Sequence, residues 1–178
     1  YNNLGTLLLS EGKFAQANEN FRKAIRIKPQ YLDAHSNLIF SITSEVKTSA
    51  ENLLIETNRF SEICSEKSLD KYMNWNCDCE SSVLKIGFVS GDLRNHPVGY
   101  FLEGILDDMS KGPFEFFVYS TTFYEDELTV RIKPFFKEWK VIAAFDWGIA
   151  AEKIYQDNLH ILIDLAGHTA ANGLPIFS

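Results

Sequence analysis

The chain has 178 residues, 46% hydrophobic with 14 Phe, enough to bury a core in one large domain or two small ones. Its net charge of -7, with no Lys/Arg cluster, argues against nucleic acid as the main partner, because phosphate contacts need such clusters. No apolar run approaches the roughly 18–20 residues of a membrane span, and no signal peptide precedes the first elements, so neither a membrane partner nor secretion is expected.

Residues 1–29, "YNNLGTLLLSEGKFAQANENFRKAIRIKP", set Leu4, Gly5, Gly12, Ala17, Phe21, Ala24 and Pro29 at the spacings of a tetratricopeptide repeat. That repeat has a period of about 34 residues. Gly5 and Ala17 are small enough for two antiparallel helices to touch there. Phe21 and Ala24, three apart, share one face of the second helix. Pro29 cannot continue that helix. "YLDAHSNLIF" then restarts the pattern with Ala34, Asn37 and Leu38 in phase, but Ile39 stands where the glycine would recur. Residues 1–45 therefore read as the end of a repeat array. Each repeat buries its face on its neighbours, so further repeats are expected before Tyr1. The array offers a concave surface for a protein or peptide partner; the alternative is a structural or dimerising spacer.

Residues 46–82 are more polar and read as a connector. "SAENLLIETNRFSEICSEK" brings Leu53, Phe60 and Ile63 near helical spacing, with Leu54 and Cys64 beside them, and predicts one amphipathic helix. "SLDKYMNWNCDCESS" has no period and predicts a loop, anchored by Tyr72 and Trp75. The cysteines are Cys64, Cys77 and Cys79. Cys77-Asp78-Cys79 is not a zinc spacing, and no second Cys or His pair completes one, so no metal is expected. Free thiols in a reducing compartment, the cytoplasm, are the expectation.

From residue 83 to 178 the pattern changes. "VLKIGFVS", "FEFFVYST", "WKVI" and "HILIDLAG" read as strands. "PVGYFLEGILDDMS" predicts a helix with Pro97 in its first turn and Val98, Phe101, Leu102, Ile105 and Met109 on its buried face. "EDELTVRIKPFF" predicts a short helix ended by Pro134, and "DWGIAAEKIYQDN" a helix capped by Asp146. Nearly all-apolar strands alternating with helices imply a parallel sheet covered on both faces. Further α/β units are expected after Ser178. Ligands of such sheets bind at the carboxyl ends of the strands. Two of those ends are unusual: "SGDLRNHPVGY" and "AGHTAANG" each hold glycines and one histidine. Neither is GxGxxG or a P-loop, so no dinucleotide or ATP fingerprint is present. "GHTAANG" offers backbone N–H groups and hydroxyls suited to a sugar or phosphate.

With "KIGFVSGDLRNHPVGYFLEGIL", "FEFFVYST" and "ILIDLAGHTAANGLPIF" following the repeat end "DAHSNLIF", essentially the whole chain resembles the O-linked N-acetylglucosamine transferases, on the bacterial and SPINDLY-like side. The resemblance implies a fold of class α plus α/β: tetratricopeptide repeats followed by the amino-terminal Rossmann-like half of a two-Rossmann GT-B glycosyltransferase. It implies inverting, metal-independent transfer of N-acetylglucosamine from UDP-N-acetylglucosamine to Ser or Thr of proteins recruited by the repeats. Plant SPINDLY-like relatives use GDP-fucose, which is one alternative. A non-catalytic repeat scaffold is the other. No cofactor is implied. The nucleotide-binding elements of the family lie mostly in the second half, so the 178-residue chain alone is expected to be inactive.

On the same resemblance, His96 matches the family histidine proposed as catalytic base, a role for which imidazole suits neutral pH. His168 matches a bacterial-type motif near the acceptor and sugar pocket, and Asp92, Pro97, Gly167, His168, Thr169 and Asn172 are the expected substrate-binding residues. Glu152 and Tyr155 depart from the acidic residue and histidine of animal members. The residues also permit plainer readings. His96 can cap the helix beginning at Pro97, and His168 can be a hydrogen-bonded loop residue. His35 and His160 read as structural, and Phe114, Phe116, Phe117 and Tyr119 as sheet core.

Overall fold

In a computed structural model of the chain, residues 1–45, 49–67, 72, 74 and 77–177 are described. Trp75, expected to anchor the loop, lies outside them. The chain divides into two compact units, Tyr1–Leu69 and Asp70–Phe177.

Small residues set the first unit. α1 (Asn2–Ser10) and α2 (Phe14–Ile27) are joined by the turn at residues 11–13, where Gly12 takes the left-handed φ of 73°. Gly5 faces the fully buried Phe21 so closely that a Cβ there would come within 2.5 Å of Cε1. α3 (Leu32–Ser44) closes the cluster, adding Leu38 and Ile42 to Ala17 and Phe21. His35 is buried in α3 with Nε2 2.8 Å from the Pro29 carbonyl oxygen, a structural placement. α4 (Ala50–Lys67) packs on α3 and belongs to this unit. It buries Phe60 and Cys64, and it also buries Glu56, whose carboxylate takes hydrogen bonds from Arg22 and Arg59. A buried carboxylate persists only when paired in this way.

The second unit is a four-stranded parallel sheet of order β3-β2-β1-β4. Its strands are β1 (Leu84–Ser90), β2 (Phe114–Ser120), β3 (Glu138–Val141) and β4 (Ile161–Asp164). Side chains alternate between the two faces along each strand. Ile86, Phe88, Phe116 and Val118 point to one face, under α5 (Pro97–Met109) and α6 (Glu127–Ile132). Val89, Phe117 and Tyr119 point to the other, under α7 (Trp147–Gln156), with Ala150, Ile154 and Leu159. Both faces are thus covered, and the aromatic group is core. Tyr119 is wholly buried; its hydroxyl donates to the Asp157 carboxylate, which also takes the Lys140 ammonium. Burial first, then Asp157, pushes the Tyr119 hydroxyl pKa far up.

α5 corrects one expectation. The sequence places Phe101 and Ile105 on its buried face, but they are 78% and 50% exposed. The buried stripe is Gly99, Leu102 and Leu106, flanked by Val98 and Met109. The cause is Gly99. A Cβ there would lie 2.2 Å from the Arg94 carbonyl oxygen, so the helix rests on the preceding loop at this point. That contact turns Leu102 and Leu106 to the sheet.

Gly5→Ala in the full-length parent should lose roughly 1–3 kcal/mol of stability, the usual cost of overpacking a filled core. The shift in the urea unfolding midpoint measures it.

Candidate active site

In a parallel sheet every strand-to-helix turn opens on one edge. Here the turns after β1, β2 and β4 enclose a cleft of about 410 Å³. Gly91, Asp92, Arg94 and His96 line it from the first turn, Thr122 and Tyr124 from the second, and Thr169, Ala170 and Ala171 from the third.

The first turn is held by its own side chains. Ser90 Oγ accepts from the Asp92 amide at 3.0 Å. Arg94 donates through Nη2 to Asp92 Oδ1 at 3.3 Å and through Nε to the Gly91 carbonyl at 3.3 Å. Its guanidinium stands 5.7 Å from the centre of the Tyr124 ring. His96 is the N-cap of α5, with extended backbone (φ -147°, ψ 151°), and its Nδ1 accepts from the Val98 amide at 3.3 Å. Asp92 Oδ2 lies 4.0 Å from that same nitrogen, and the His96 side chain is 37% exposed. His96 therefore both caps a helix and faces the cleft. Pro97 is the first helical residue and is not among those lining the cleft.

Asp126 ties the second turn to the first. It accepts from the amides of Leu128 and Thr129 at the head of α6, and from the Asn95 amide at 2.7 Å. Burial tends to raise its carboxyl pKa, but the hydrogen bonds from Asn95, Thr129 and Leu128 outweigh this and hold it below the ordinary 3.8. Thr129 completes the arrangement by accepting from the Asp126 amide and donating to the Leu93 carbonyl.

The third turn is more closed than the sequence implies. Asp164 accepts from the amides of Ala166 (3.2 Å) and Gly167 (2.7 Å), where Gly167 takes φ 55°. Thr169 Oγ1 donates to the Ala166 carbonyl, and Asn172 Nδ2 to the Thr169 carbonyl. The Gly167 amide, the Thr169 amide and the Thr169 hydroxyl, all expected to meet a sugar or phosphate, thus hold the turn together. His168 is half-buried; burial lowers its pKa below the ordinary 6.5, against the opposing pull of the Asp164 carboxylate. Across the cleft, Thr121 Oγ1 donates to the Ala171 carbonyl at 2.6 Å, gripping a non-glycine residue at φ 55°.

Of the expected site residues, the cleft brings together Asp92, His96 and Thr169. Pro97, Gly167, His168 and Asn172 sit beside it, and among the described residues they do not line it. Arg94, Thr122 and Tyr124 were not anticipated. The strand-end rule applies to "STTFYE" after β2 as much as to the other two turns, and Arg94 lies inside the "GDLRNHP" block. Glu152 and Tyr155 stay out of the cleft; the Tyr155 hydroxyl donates to the Asn74 carbonyl and its ring meets Tyr72 at 4.7 Å. His160 is structural: Nδ1 accepts from the Lys85 amide, which fixes Nε2 as donor to the Asp78 carbonyl. Cys77 and Cys79 are free thiols with Sγ atoms 3.6 Å apart. Among the described residues, no group of three or more His, Cys, Asp or Glu is placed to hold a metal, and no helix is long and apolar enough to cross a membrane.

Asp126→Asn keeps a capping side chain but cannot titrate. A depressed folded pKa stabilises above the unfolded value, so the Asp126 contribution is complete above 3.8 and is lost as pH falls through the lower folded value. Denaturation from about pH 6 to about pH 3 should therefore show a shallower acid loss in Asp126→Asn than in the wild type.

The chain is similar to several known sequences and to solved structures. It is 29% identical, over 86% of its length, to a rice protein described as a probable UDP-N-acetylglucosamine–peptide N-acetylglucosaminyltransferase SPINDLY, of which it spans 17%. It is 34% identical, over 53% of its length, to the UDP-N-acetylglucosamine–peptide N-acetylglucosaminyltransferase of Caenorhabditis elegans, of which it spans 8%. A solved mutant of the Thermobaculum terrenum O-GlcNAc transferase superposes with a TM-score of 0.88 at 26% identity, over 99% of this chain and 34% of that one. The fold is accordingly tetratricopeptide helices followed by the Rossmann-like half of a GT-B fold. The match to glycosyl transferase family 41 runs from residue 29 to residue 178, through both units, and the chain belongs to that family.

Proposed function

We propose that the full-length protein transfers N-acetylglucosamine from UDP-N-acetylglucosamine to Ser or Thr hydroxyls of proteins, with inversion and without a metal ion. The repeats recruit the acceptor protein, and the reaction takes place in the cytoplasm. The observation that carries this reading is the cleft at the carboxyl edge of the sheet, in a chain of glycosyl transferase family 41, with His96 in its wall. Its chemistry suits a hydroxyl-bearing ligand. Arg94 is paired with Asp92, and the amides of Asp92, Val98, Ala166 and Gly167 are engaged within the loops, so these donors are not presented to a diphosphate. This favours the acceptor side of the reaction for this half of the fold, with the nucleotide held elsewhere in the longer protein. On this reading Asp92, His96 and Thr169 contact the substrate, while Pro97, Gly167, His168 and Asn172 shape the loops that present them.

The test is transfer from labelled UDP-N-acetylglucosamine, with GDP-fucose in parallel, to protein acceptors by the full-length parent. Incorporation from the first donor is expected. Incorporation only from GDP-fucose corrects the sugar, and incorporation from neither supports a non-catalytic scaffold. In the same assay His96→Ala should lower kcat/KM by roughly 10²–10⁴-fold, and a fall below about tenfold would leave His96 as a helix cap alone. The isolated 178-residue chain should transfer nothing.

A further inference from the structure

We propose that His96 serves the cleft as a hydrogen-bond donor through Nε2, not as a general base, and that the helix it caps holds the ring in that tautomer. The inference rests on the transferase reading only for the identity of the ligand.

The cap is decisive because the Val98 amide can only donate. Nδ1, 3.3 Å away, must offer it a lone pair. A neutral imidazole carries one ring proton, which is then on Nε2. A base acting at Nε2 needs the opposite arrangement, with a proton on Nδ1 and normally a carboxylate to receive it. Asp92 is near, but its Oδ2 lies 4.0 Å from Nδ1, beyond hydrogen-bond range, and its Oδ1 takes Arg94. Asp126, the other nearby carboxylate, is turned to the amides of Asn95, Leu128 and Thr129. Moving the proton to Nδ1 would orphan the Val98 amide at the head of α5.

The sequence "HP" builds this device. Pro97 opens the helix and restricts His96 to extended backbone, the conformation an N-cap requires. Nε2 remains at the far end of a ring that is 37% exposed in the cleft wall. What a fixed N–H selects is an oxygen with a free lone pair, such as a sugar or acceptor hydroxyl oxygen.

Two variants and one direct observation test this in the full-length parent. Gln places an amide donor near the Nε2 position and has no basicity; Asn caps a helix but stops short of Nε2. His96→Gln should retain kcat/KM within about tenfold of wild type, while His96→Asn falls with His96→Ala by 10²-fold or more. His96→Gln as inactive as His96→Ala overturns the donor role. Neutron diffraction from crystals of the parent should find deuterium on Nε2; deuterium on Nδ1 overturns the tautomer even if a variant fails to fold. If the wild-type parent transfers no sugar, the transferase reading fails, and the neutron result still decides the tautomer.

Discussion

The parallel pairing of β1 with both β2 and β4 is the contact on which the cleft depends. Parallel strands force each connection to cross back over a face of the sheet, so all the departing turns gather at one edge. With β1 central and its neighbours on either side, the turns after β2 and β4 flank the turn that carries Asp92, Arg94 and His96. A strand reversed at either position would send one of those turns to the far edge. The apolar alternation of Ile86, Phe88 and Val89 against Phe116, Val118 and Tyr119 fixes the register and so fixes which residues meet.

The loop after β1 is over-determined for a segment of its length. Ser90, Asp92 and Arg94 hold it from within, Asp126 and Thr129 hold it from α6, and Gly99 lets α5 press on its backbone. A site residue placed by so many independent contacts loses little freedom on binding, which is the structural content of preorganisation. The same contacts place His96 as a helix cap in the wall of the cleft.

What was legible in the sequence follows from how local the signal is. The strands, the Pro97 start of α5, the Asp146 cap and the structural roles of His35 and His160 all rest on periodicity or on neighbouring residues. The misplaced face of α5 depends on a backbone contact between Gly99 and Arg94, which periodicity cannot register. The "GHTAANG" turn promised free donors because composition lists groups, whereas Asp164, outside the motif, accepts two of its neighbouring amides. Tyr124 lines the site with its ring against Arg94, a pairing across two turns.

The grip of Thr121 on Ala171 spans 50 residues, and the seam between β1 and β4 spans 75. Loop-closure entropy makes such distant contacts late ones during folding. On a ribosome, β1 and β2 can pair while β4 is still unmade, leaving one flank of the central strand as a bare row of N–H and C=O groups. The cleft therefore comes into existence only when β4 arrives, and until then the strand that carries the site's first turn is open to pairing with the wrong neighbour.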